Sequence, residues 1–147
     1  MNFSKIVIAT GGFDPIHSGH IKYLNAAAKL GDLLLVGVNS DEWLRRKKGK
    51  EFLSFYERSF IVKNLKSVYM TFAFNDDDGS AKDAIRHVRS FYPDCTIVFA
   101  NGGDRTKTNI PEMDTEDTNL EFVFGVGGET KDNSSSIILK NYLHNQA

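Results

Sequence analysis

Five short runs of apolar and β-branched residues recur along the chain, with amphipathic stretches between most of them. The runs cover residues 6–9, 33–38, 68–74, 96–100 and 120–124. The second run has no polar alternation, which is typical of a strand that is covered on both faces of a sheet. We therefore predict five strands in a sheet that is packed on both sides.

Four amphipathic stretches carry signals for helix ends. Gly31 follows the first stretch at the position where glycine ends a helix, and Ser54 with Glu57 forms a capping-box pattern at the start of the second. The third and fourth helices are predicted to begin at candidate capping residues, namely Ser80 for one and Asn133 or Ser134 for the other. The last helix is predicted to bury its apolar positions, which are Ile137, Ile138, Tyr142 and Leu143.

The order of strands and helices predicts the fold class. Strands that alternate with helices favour a parallel sheet with right-handed crossovers. We predict an α/β fold, a Rossmann-like three-layer sandwich with a five-stranded parallel sheet and helices on both faces, built as one domain over residues 1–147. Ligands of such sheets bind outside the carboxyl ends of the strands. The segments that follow the strands are therefore the candidate functional segments.

Composition narrows the class of function. The 147 residues are 41% hydrophobic and 25% charged, as in an ordinary globular domain. Lys and Arg (18) nearly balance Asp and Glu (19), which argues against a general nucleic-acid binder. A single cysteine excludes a disulfide framework and a multi-thiolate zinc site. The first apolar run is too short for a signal peptide or a membrane span, so we expect a cytoplasmic protein.

The segment after the first strand, residues 10–20, carries the most specific chemistry. Gly11 and Gly12 allow the backbone to approach a ligand, and the following helix N-terminus offers backbone N–H donors to an anion. His17 and His20 lie three residues apart and share one face of the first helical turn. The segment matches neither the P-loop nor the dinucleotide glycine pattern. It is predicted to bind phosphate groups through backbone and imidazole donors.

Three further segments each permit a structural and a functional interpretation. The basic run 45–50 is either solvated charge or a clamp for phosphate. The segment 101–106 contains two glycines after a strand and is either a simple turn or a point of close backbone approach to a ligand. The serine run 134–136 supplies more hydroxyls than N-capping alone requires, and is a candidate for binding phosphates.

The pattern Gly12-Phe13-Asp14-x-x-His17-x-Gly19-His20 resembles the signature of the cytidylyltransferase-like nucleotidylyltransferases. All fixed positions of the signature match, and further blocks extend the resemblance over almost the whole chain. The resemblance implies transfer of a nucleotidyl group from a nucleoside triphosphate to a phosphorylated acceptor, with release of pyrophosphate. Mg²⁺ is implied by the triphosphate and not by a set of metal ligands in the protein.

The resemblance also implies roles for individual residues. The catalytic residues that it implies are His17, His20 and Lys48, with Lys47 and Lys50 as weaker matches for the lysine. The nucleotide-binding residues that it implies are Thr10, Gly11, Gly12, Phe13, Asp14, Gly19, Gly103, Asp104, Lys131, Ser134, Ser135 and Ser136. Asp14 is also interpreted as an organiser of the turn and the site. Weaker matches suggest acceptor-binding roles for Asn39, Arg58 and Arg105. For Arg58, a structural ion pair is an equal alternative.

The last block of the chain departs from the family pattern. Glu129 stands where the cytidylyltransferases have an arginine, and Lys131 is a candidate to supply the missing positive charge. Adenylyltransferase relatives also lack that arginine, so the donor stays open between CTP and ATP. The polar stretch 104–114, which includes Glu112, either recognises acceptor hydroxyls or is a solvated loop.

The motifs together predict a nucleotidylyltransferase that transfers CMP or AMP to a polyol- or sugar-phosphate acceptor. CTP with a glycerol phosphate-like acceptor is the preferred pairing. The alternatives are an adenylyltransferase acting on a heptose or other sugar 1-phosphate, and a non-catalytic nucleotide-binding domain of the same fold. The expected partners are small molecules, without nucleic acid or membrane. A homodimer is expected through aromatic residues predicted to be exposed, namely Trp43, Phe52, Phe55 and Tyr56.

Overall fold

One parallel sheet organises the chain. A computed structural model describes residues 4–102, 110–128 and 135–146. Its five strands lie in the order β3-β2-β1-β4-β5, and all neighbours are parallel. The strands are β1 (Lys5–Gly11), β2 (Leu33–Val38), β3 (Met70–Ala73), β4 (Thr96–Ala100) and β5 (Leu120–Val123).

Helices connect the strands and cover both faces of the sheet. They are α1 (Ser18–Ala28), α2 (Asp41–Lys48), α3 (Phe55–Lys63), α4 (Lys82–Phe91) and α5 (Ser135–Gln146), with a short 3₁₀ helix at Pro111–Asp114. Leu24 of α1 and Val62 of α3 pack with one set of strand residues. Ile85 and Val88 of α4 pack with the alternate set on the opposite face. The predicted α/β three-layer sandwich is therefore confirmed.

The strand order creates a crevice at the carboxyl edge of the sheet. The chain moves from β1 to β2 and β3 on one side, and then returns to place β4 on the other side of β1. Loops that leave β1 and β4 consequently diverge toward opposite faces, which is the switch point where open α/β sheets bind ligands. The turn after β1 and residues Asn101 and Gly102 after β4 thus lie beside each other.

Helix α2 contains most of the basic run 45–50, for which no helix was predicted from the sequence. The Ser40 hydroxyl accepts the backbone N–H of Trp43 at 3.0 Å and caps the helix, and Gly49 with a φ of +94° ends it. These end signals are present in the sequence. Leu44 is the only buried residue of this helix, so the sequence has no apolar stripe that predicts a helix here. The residues at its two ends predict it better.

Other predicted boundaries differ in detail. The third strand is shorter than the run 68–74, and α4 begins at Lys82, two residues after the predicted capping residue Ser80. The prediction that α5 buries its apolar side chains is wrong for three of them: Ile137, Tyr142 and Leu143 are 51%, 56% and 66% exposed. Within the ranges that the structure describes, no helix is long and apolar enough to cross a membrane.

Candidate active site

A cavity of about 540 Å³ opens at the carboxyl ends of β1 and β4. The turn after β1, the start of α1, one side of α2, the start of α4 and the first turn of α5 line it. Several sequence-predicted residues line it together, namely Thr10, Gly11, Gly12, Phe13, His17, Gly19, His20, Asn39, Ser135 and Ser136. The cavity therefore unites segments that are far apart in the chain.

The turn after β1 is held by close packing. Phe13 has a φ of +53°, a left-handed conformation that side chains other than glycine rarely adopt, and its ring is buried. A Cβ on Gly12 would lie 2.9 Å from Leu44 Cδ2 of α2, which is closer than Cβ contacts allow. A side chain at this position would therefore force Leu44 of α2 to shift. Packing from α2 and the buried ring thus fix where α1 begins.

The two histidines cap helix α1 reciprocally. The Nδ1 atom of His17 accepts the backbone N–H of Gly19 at 3.0 Å, and Nδ1 of His20 accepts the backbone N–H of His17 at 3.1 Å. This is the capping-box arrangement, with imidazoles in the places that Ser or Thr and Glu or Gln usually occupy. The ring centroids lie 4.0 Å apart. The backbone thereby sets the orientation of both rings.

These hydrogen bonds determine the tautomer of each neutral imidazole. A ring nitrogen that accepts an N–H carries no hydrogen, so the hydrogen of neutral His17 and His20 resides on Nε2. Nε2 is a donor on the ring edge away from the capped backbone. Because both residues line the cavity, their Nε2–H groups suit a ligand with oxygen acceptors.

Asp14 and Lys48 bind each other and do not line the cavity. Lys48 Nζ lies 2.9 Å from Asp14 Oδ2 and also donates to the Asp14 carbonyl. The Asp14 carboxylate, almost fully buried, further accepts the backbone N–H groups of Phe52 and Leu53 at 2.6 and 2.7 Å. In this structure the pair anchors the loop before α3 to the turn after β1. The direct catalytic and nucleotide contacts expected of Lys48 and Asp14 are thus replaced by an organising role.

The remaining residues of the basic run point in different directions. Arg45 forms a two-pronged ion pair with Glu51, and its hydrogen bonds lower the pKa of Glu51 to about 2. Arg46 donates to the Asp76 carbonyl at 2.8 Å. Lys47 is the member of the run that lines the cavity. The run is therefore neither a uniform clamp nor a uniformly solvated surface.

Arg58 is the buried hub of the site. Its side chain is fully buried, and the guanidinium donates to the carbonyls of Gly12, Asn39 and Leu53 at 2.7–2.9 Å. It also forms an ion pair with Asp41 at 2.7 Å. Every bond goes to a protein group, and the side chain does not line the cavity. The acceptor-binding interpretation of Arg58 is corrected to the structural ion pair that was its alternative.

Asn39 lines the cavity, and its side-chain amide is bound by Asp76. Its Nδ2 donates to Asp76 Oδ2 at 3.0 Å, and its backbone N–H donates to the Gly11 carbonyl at 2.9 Å. Asp76, itself buried, also accepts from the Ser40 backbone and hydroxyl. The loop after β2 is consequently fixed against the loop after β3. Asn39 presents a rigid wall on this side of the cavity.

The C-terminal helix closes the cavity near the histidine turn. Ser135 Oγ donates to the Pro15 carbonyl at 2.8 Å, and Ser136 lines the cavity beside it. The other predicted residues of the segments after β4 and before α5 lie outside the described residues; they are Gly103, Asp104, Arg105, Lys131 and Ser134.

Lys22 and Tyr23 line the cavity although the sequence suggested no role for them, and Trp43, expected on a dimer surface, lines it as well. Lys22 and Tyr23 follow the histidine pair on α1, and Tyr23 donates its hydroxyl hydrogen to the Ala100 carbonyl at 2.8 Å. Trp43 lies on α2. Helical spacing from His20 carried a signal for Tyr23, since positions three apart share a face. The sequence carried no such signal for Lys22 and Trp43, whose position in the cavity depends on contacts between distant segments.

The chemistry of the cavity favours a phosphorylated ligand. The start of α1, two imidazole donors, Lys22 and Lys47 line one side of it. These groups bind anionic oxygens and stabilise charge that develops on them. Among the described residues no group of three or more His, Cys, Asp and Glu side chains is arranged to hold a metal ion. A parallel α/β sheet with such a site at its switch point is the geometry of a nucleotide-binding protein that handles phosphate groups.

The family comparison agrees with this class. A family model described as cytidylyltransferase-like matches residues 8–141. The chain therefore belongs to the cytidylyltransferase-like family, and it is classed as a nucleotidyltransferase. The resemblance stated from the histidine signature is confirmed.

Curated relatives match the chain over most of its length. It is 32% identical over 142 residues to the bifunctional protein HldE of Syntrophotalea carbinolica, an alignment covering 93% of this chain and 27% of that protein. It is 37% identical over 103 residues to the protein of the same name from Helicobacter hepaticus, covering 69% of this chain and 20% of that one. The chain thus spans about a quarter of the length of these relatives.

Solved structures share the fold. A lipopolysaccharide core biosynthesis protein from Thermoplasma volcanium superposes with a TM-score of 0.64 at 24% identity, covering 88% of this chain and all of that one. A bifunctional NMN adenylyltransferase/ADP ribose pyrophosphatase from Francisella tularensis gives 0.64 at 15% identity, covering 98% of this chain and 42% of that one. At these identities the likeness concerns the fold.

We predict that replacing Arg58 destabilises the fold around the site. Arg58→Met leaves three carbonyls and the Asp41 carboxylate without their donor, and breaking such a buried pair costs about 3 kcal/mol or more. The free energy of unfolding in urea measures this loss. Arg86→Met is the matched control, because Arg86 pairs with Asp83 at an exposed site and should change stability by less than about 0.5 kcal/mol. Equal effects of the two substitutions would contradict the role of Arg58.

Proposed function

We propose that the chain catalyses transfer of CMP or AMP from the nucleoside triphosphate to a polyol- or sugar-phosphate acceptor, with release of pyrophosphate. The observation that carries the proposal is the fixed histidine pair. Backbone N–H groups occupy Nδ1 of both rings, so the neutral rings hold their hydrogens on Nε2 in a cavity lined by cationic side chains. Donors of this kind bind the oxygens of a triphosphate as charge moves toward the leaving group.

The reaction needs no covalent bond to the protein. A phosphate oxygen of the acceptor attacks the α-phosphorus of the nucleotide, and the bond from that phosphorus to the oxygen bridging to the β-phosphate breaks. The electron pair leaves with pyrophosphate, and the nucleotidyl group remains on the acceptor. The protein contributes position and charge stabilisation. We assign His17 and His20 to the α- and β-phosphate oxygens, Lys22 and Lys47 to the anionic charge, and Ser135 and Ser136 to the pyrophosphate end.

Mg²⁺ is proposed as a companion of the triphosphate. Magnesium in such sites is commonly bound through substrate phosphates and only one or two protein carboxylates. The nearest buried carboxylate after β1, Asp14, is already engaged by Lys48 and two backbone N–H groups. The donor set of the described residues therefore fits a metal that enters on the nucleotide. The bound ion would neutralise phosphate charge.

Donor and acceptor are proposed as classes. CTP with a glycerol phosphate-like acceptor is the pairing preferred from the sequence. An adenylyltransferase acting on a heptose or other sugar 1-phosphate is its alternative, so both nucleotides are tested. The chain covers about a quarter of the HldE proteins that it matches, so their whole activity is not carried over. The competing function is a nucleotide-binding domain without catalysis. The cytoplasmic location stays a prediction.

The decisive test is acceptor-dependent pyrophosphate release. CTP and ATP are each combined with glycerol 3-phosphate, a panel of sugar 1-phosphates and phosphocholine, with Mg²⁺ present. We expect release with one nucleotide and a polyol or sugar phosphate, and none without acceptor. Binding of nucleotide by calorimetry with no release from any pair would favour the non-catalytic alternative.

A double substitution separates the capping role of the histidines from their chemistry. His17→Ser with His20→Gln installs the common Ser-x-x-Gln capping box, which keeps α1 capped and changes stability by less than about 1 kcal/mol. It removes both imidazole Nε2–H donors and leaves only a neutral glutamine amide in their place, so kcat should fall at least about 100-fold. Thermal unfolding and steady-state pyrophosphate release measure the two effects. Retained activity in the folded double variant would contradict the proposed mechanism.

We also propose a homodimer through the exposed aromatic side chains near α3. Phe52, Tyr56 and Phe60 are 56%, 70% and 56% exposed, whereas Trp43 and Phe55, also expected on this face, are half-buried. Burial of such a patch is a common basis of association.

Sedimentation analysis tests this interface. Tyr56→Ser with Phe60→Ser should shift the protein from dimer to monomer. Tyr142→Ser on α5, where the tyrosine is 56% exposed, is the matched control and should leave the dimer intact. A wild-type monomer at micromolar concentration would contradict the proposal.

A further inference from the structure

A carboxylate is buried in the wall of the cavity, on the side away from the histidines. Glu112 lies in the 3₁₀ helix Pro111–Asp114, is 2% exposed and lines the cavity. Its Oε2 accepts the backbone N–H of Ala81 at 2.7 Å. The hydrogen bond fixes the orientation of a buried carboxylate that lines the cavity.

Glu112 and the histidines approach the cavity from opposite faces of the sheet. Ala81 immediately precedes α4, which packs on one face, while His17 and His20 begin α1 on the other. The cavity reaches across the carboxyl edge between them. Among the described residues, Gly79, Ser80 and Ala81 also line the cavity, and the backbone of Ala81 is bonded to Glu112.

Positive and negative side chains line different sides of the cavity. Lys22 on α1 and Lys47 on α2 accompany the histidine pair, and among the described lining residues Glu112 is the one carboxylate. A buried negative charge repels a phosphate and accepts hydrogen bonds from hydroxyl groups. The histidine side thus suits phosphate, and the Glu112 side suits an uncharged, hydroxyl-bearing group.

The geometry of in-line transfer assigns this second group to the acceptor. The attacking and leaving oxygens lie on opposite sides of the α-phosphorus. With the leaving pyrophosphate near the start of α1 and α5, the acceptor approaches from the α4 side. We infer that Glu112 accepts hydrogen bonds from hydroxyls of the phosphorylated acceptor and selects polyol or sugar phosphates. This inference rests on the proposed function and adds the residue that decides acceptor class.

Glu112→Gln tests the inference with little change of shape. Glutamine retains an oxygen for the Ala81 N–H but removes the charge that strengthens hydrogen bonds to hydroxyls. The KM for the acceptor should rise about 10-fold or more, while the Kd for the nucleotide should stay within about 2-fold. Glu116→Gln, the same change at an exposed glutamate just after the 3₁₀ helix and outside the stretch 104–114, is the matched control and should leave both constants unchanged.

An acceptor analogue without the hydroxyl distinguishes direct recognition by Glu112 from a purely structural role. For the wild-type enzyme, the KM should be higher for an acceptor analogue that lacks the recognised hydroxyl than for the normal acceptor. Glu112→Gln should not raise the KM for that analogue further, because the hydrogen bond is already absent, as in a double-mutant cycle. A rise in the nucleotide Kd would show that Glu112 contacts the nucleotide. Equal loss with normal and deoxygenated acceptors would show a structural role. A preference for phosphocholine would show that the carboxylate pairs with a cation. Each of these outcomes overturns the inference.

Failure of the inference is distinguishable from failure of the proposed function. An active wild-type enzyme whose acceptor KM is unchanged by Glu112→Gln overturns the inference alone. A wild-type chain that releases no pyrophosphate with any pair overturns the proposed function, and the assignment of Glu112 falls with it. Circular dichroism and the melting temperature establish that the variant is folded before these comparisons are made.

Discussion

The buried guanidinium of Arg58 is the interaction on which the geometry of the site depends. A charge without solvent must find all its partners within the protein. Arg58 finds them at the ends of three loops, in the carbonyls of Gly12, Asn39 and Leu53, and in the carboxylate of Asp41. The loops after β1 and β2 are therefore tied to one side chain of α3. Displacement of either loop would leave the charge unsatisfied.

The Asp14–Lys48 pair extends this constraint to the loop before α3. Asp14 follows β1 and Lys48 ends α2, and the two side chains pair with each other and do not line the cavity. Among the described residues, the lysines that line the cavity are instead Lys22 and Lys47. Charge near an active site thus serves two separate purposes here. Buried pairs fix the loops, and the residues lining the cavity define where an anion binds.

The histidine pair combines a structural and a chemical role in one motif. Capping with Nδ1 orients each imidazole through the backbone at the start of its own helix. The same bond leaves the hydrogen of the neutral ring on Nε2. A local hydrogen-bond pattern therefore prepares donors of defined direction. Such preorganisation is what electrostatic stabilisation of a transition state requires.

The sequence by itself determined the features that depend on local interactions. The alternation of apolar runs and amphipathic stretches was enough for the parallel sheet and its helices, and the spacing of His17 and His20 was enough for their common position at a helix start. Tertiary structure alone decided which side chains of the basic run reach the cavity, that Arg58 turns inward, and that Glu112 enters the wall. Adjacent lysines 47 and 48 have nearly the same local surroundings. They differ because contacts from Asp14, more than 30 residues away, engage one of them. The spacing of neighbouring residues in the sequence does not predict such contacts, because they form only when distant segments pack together.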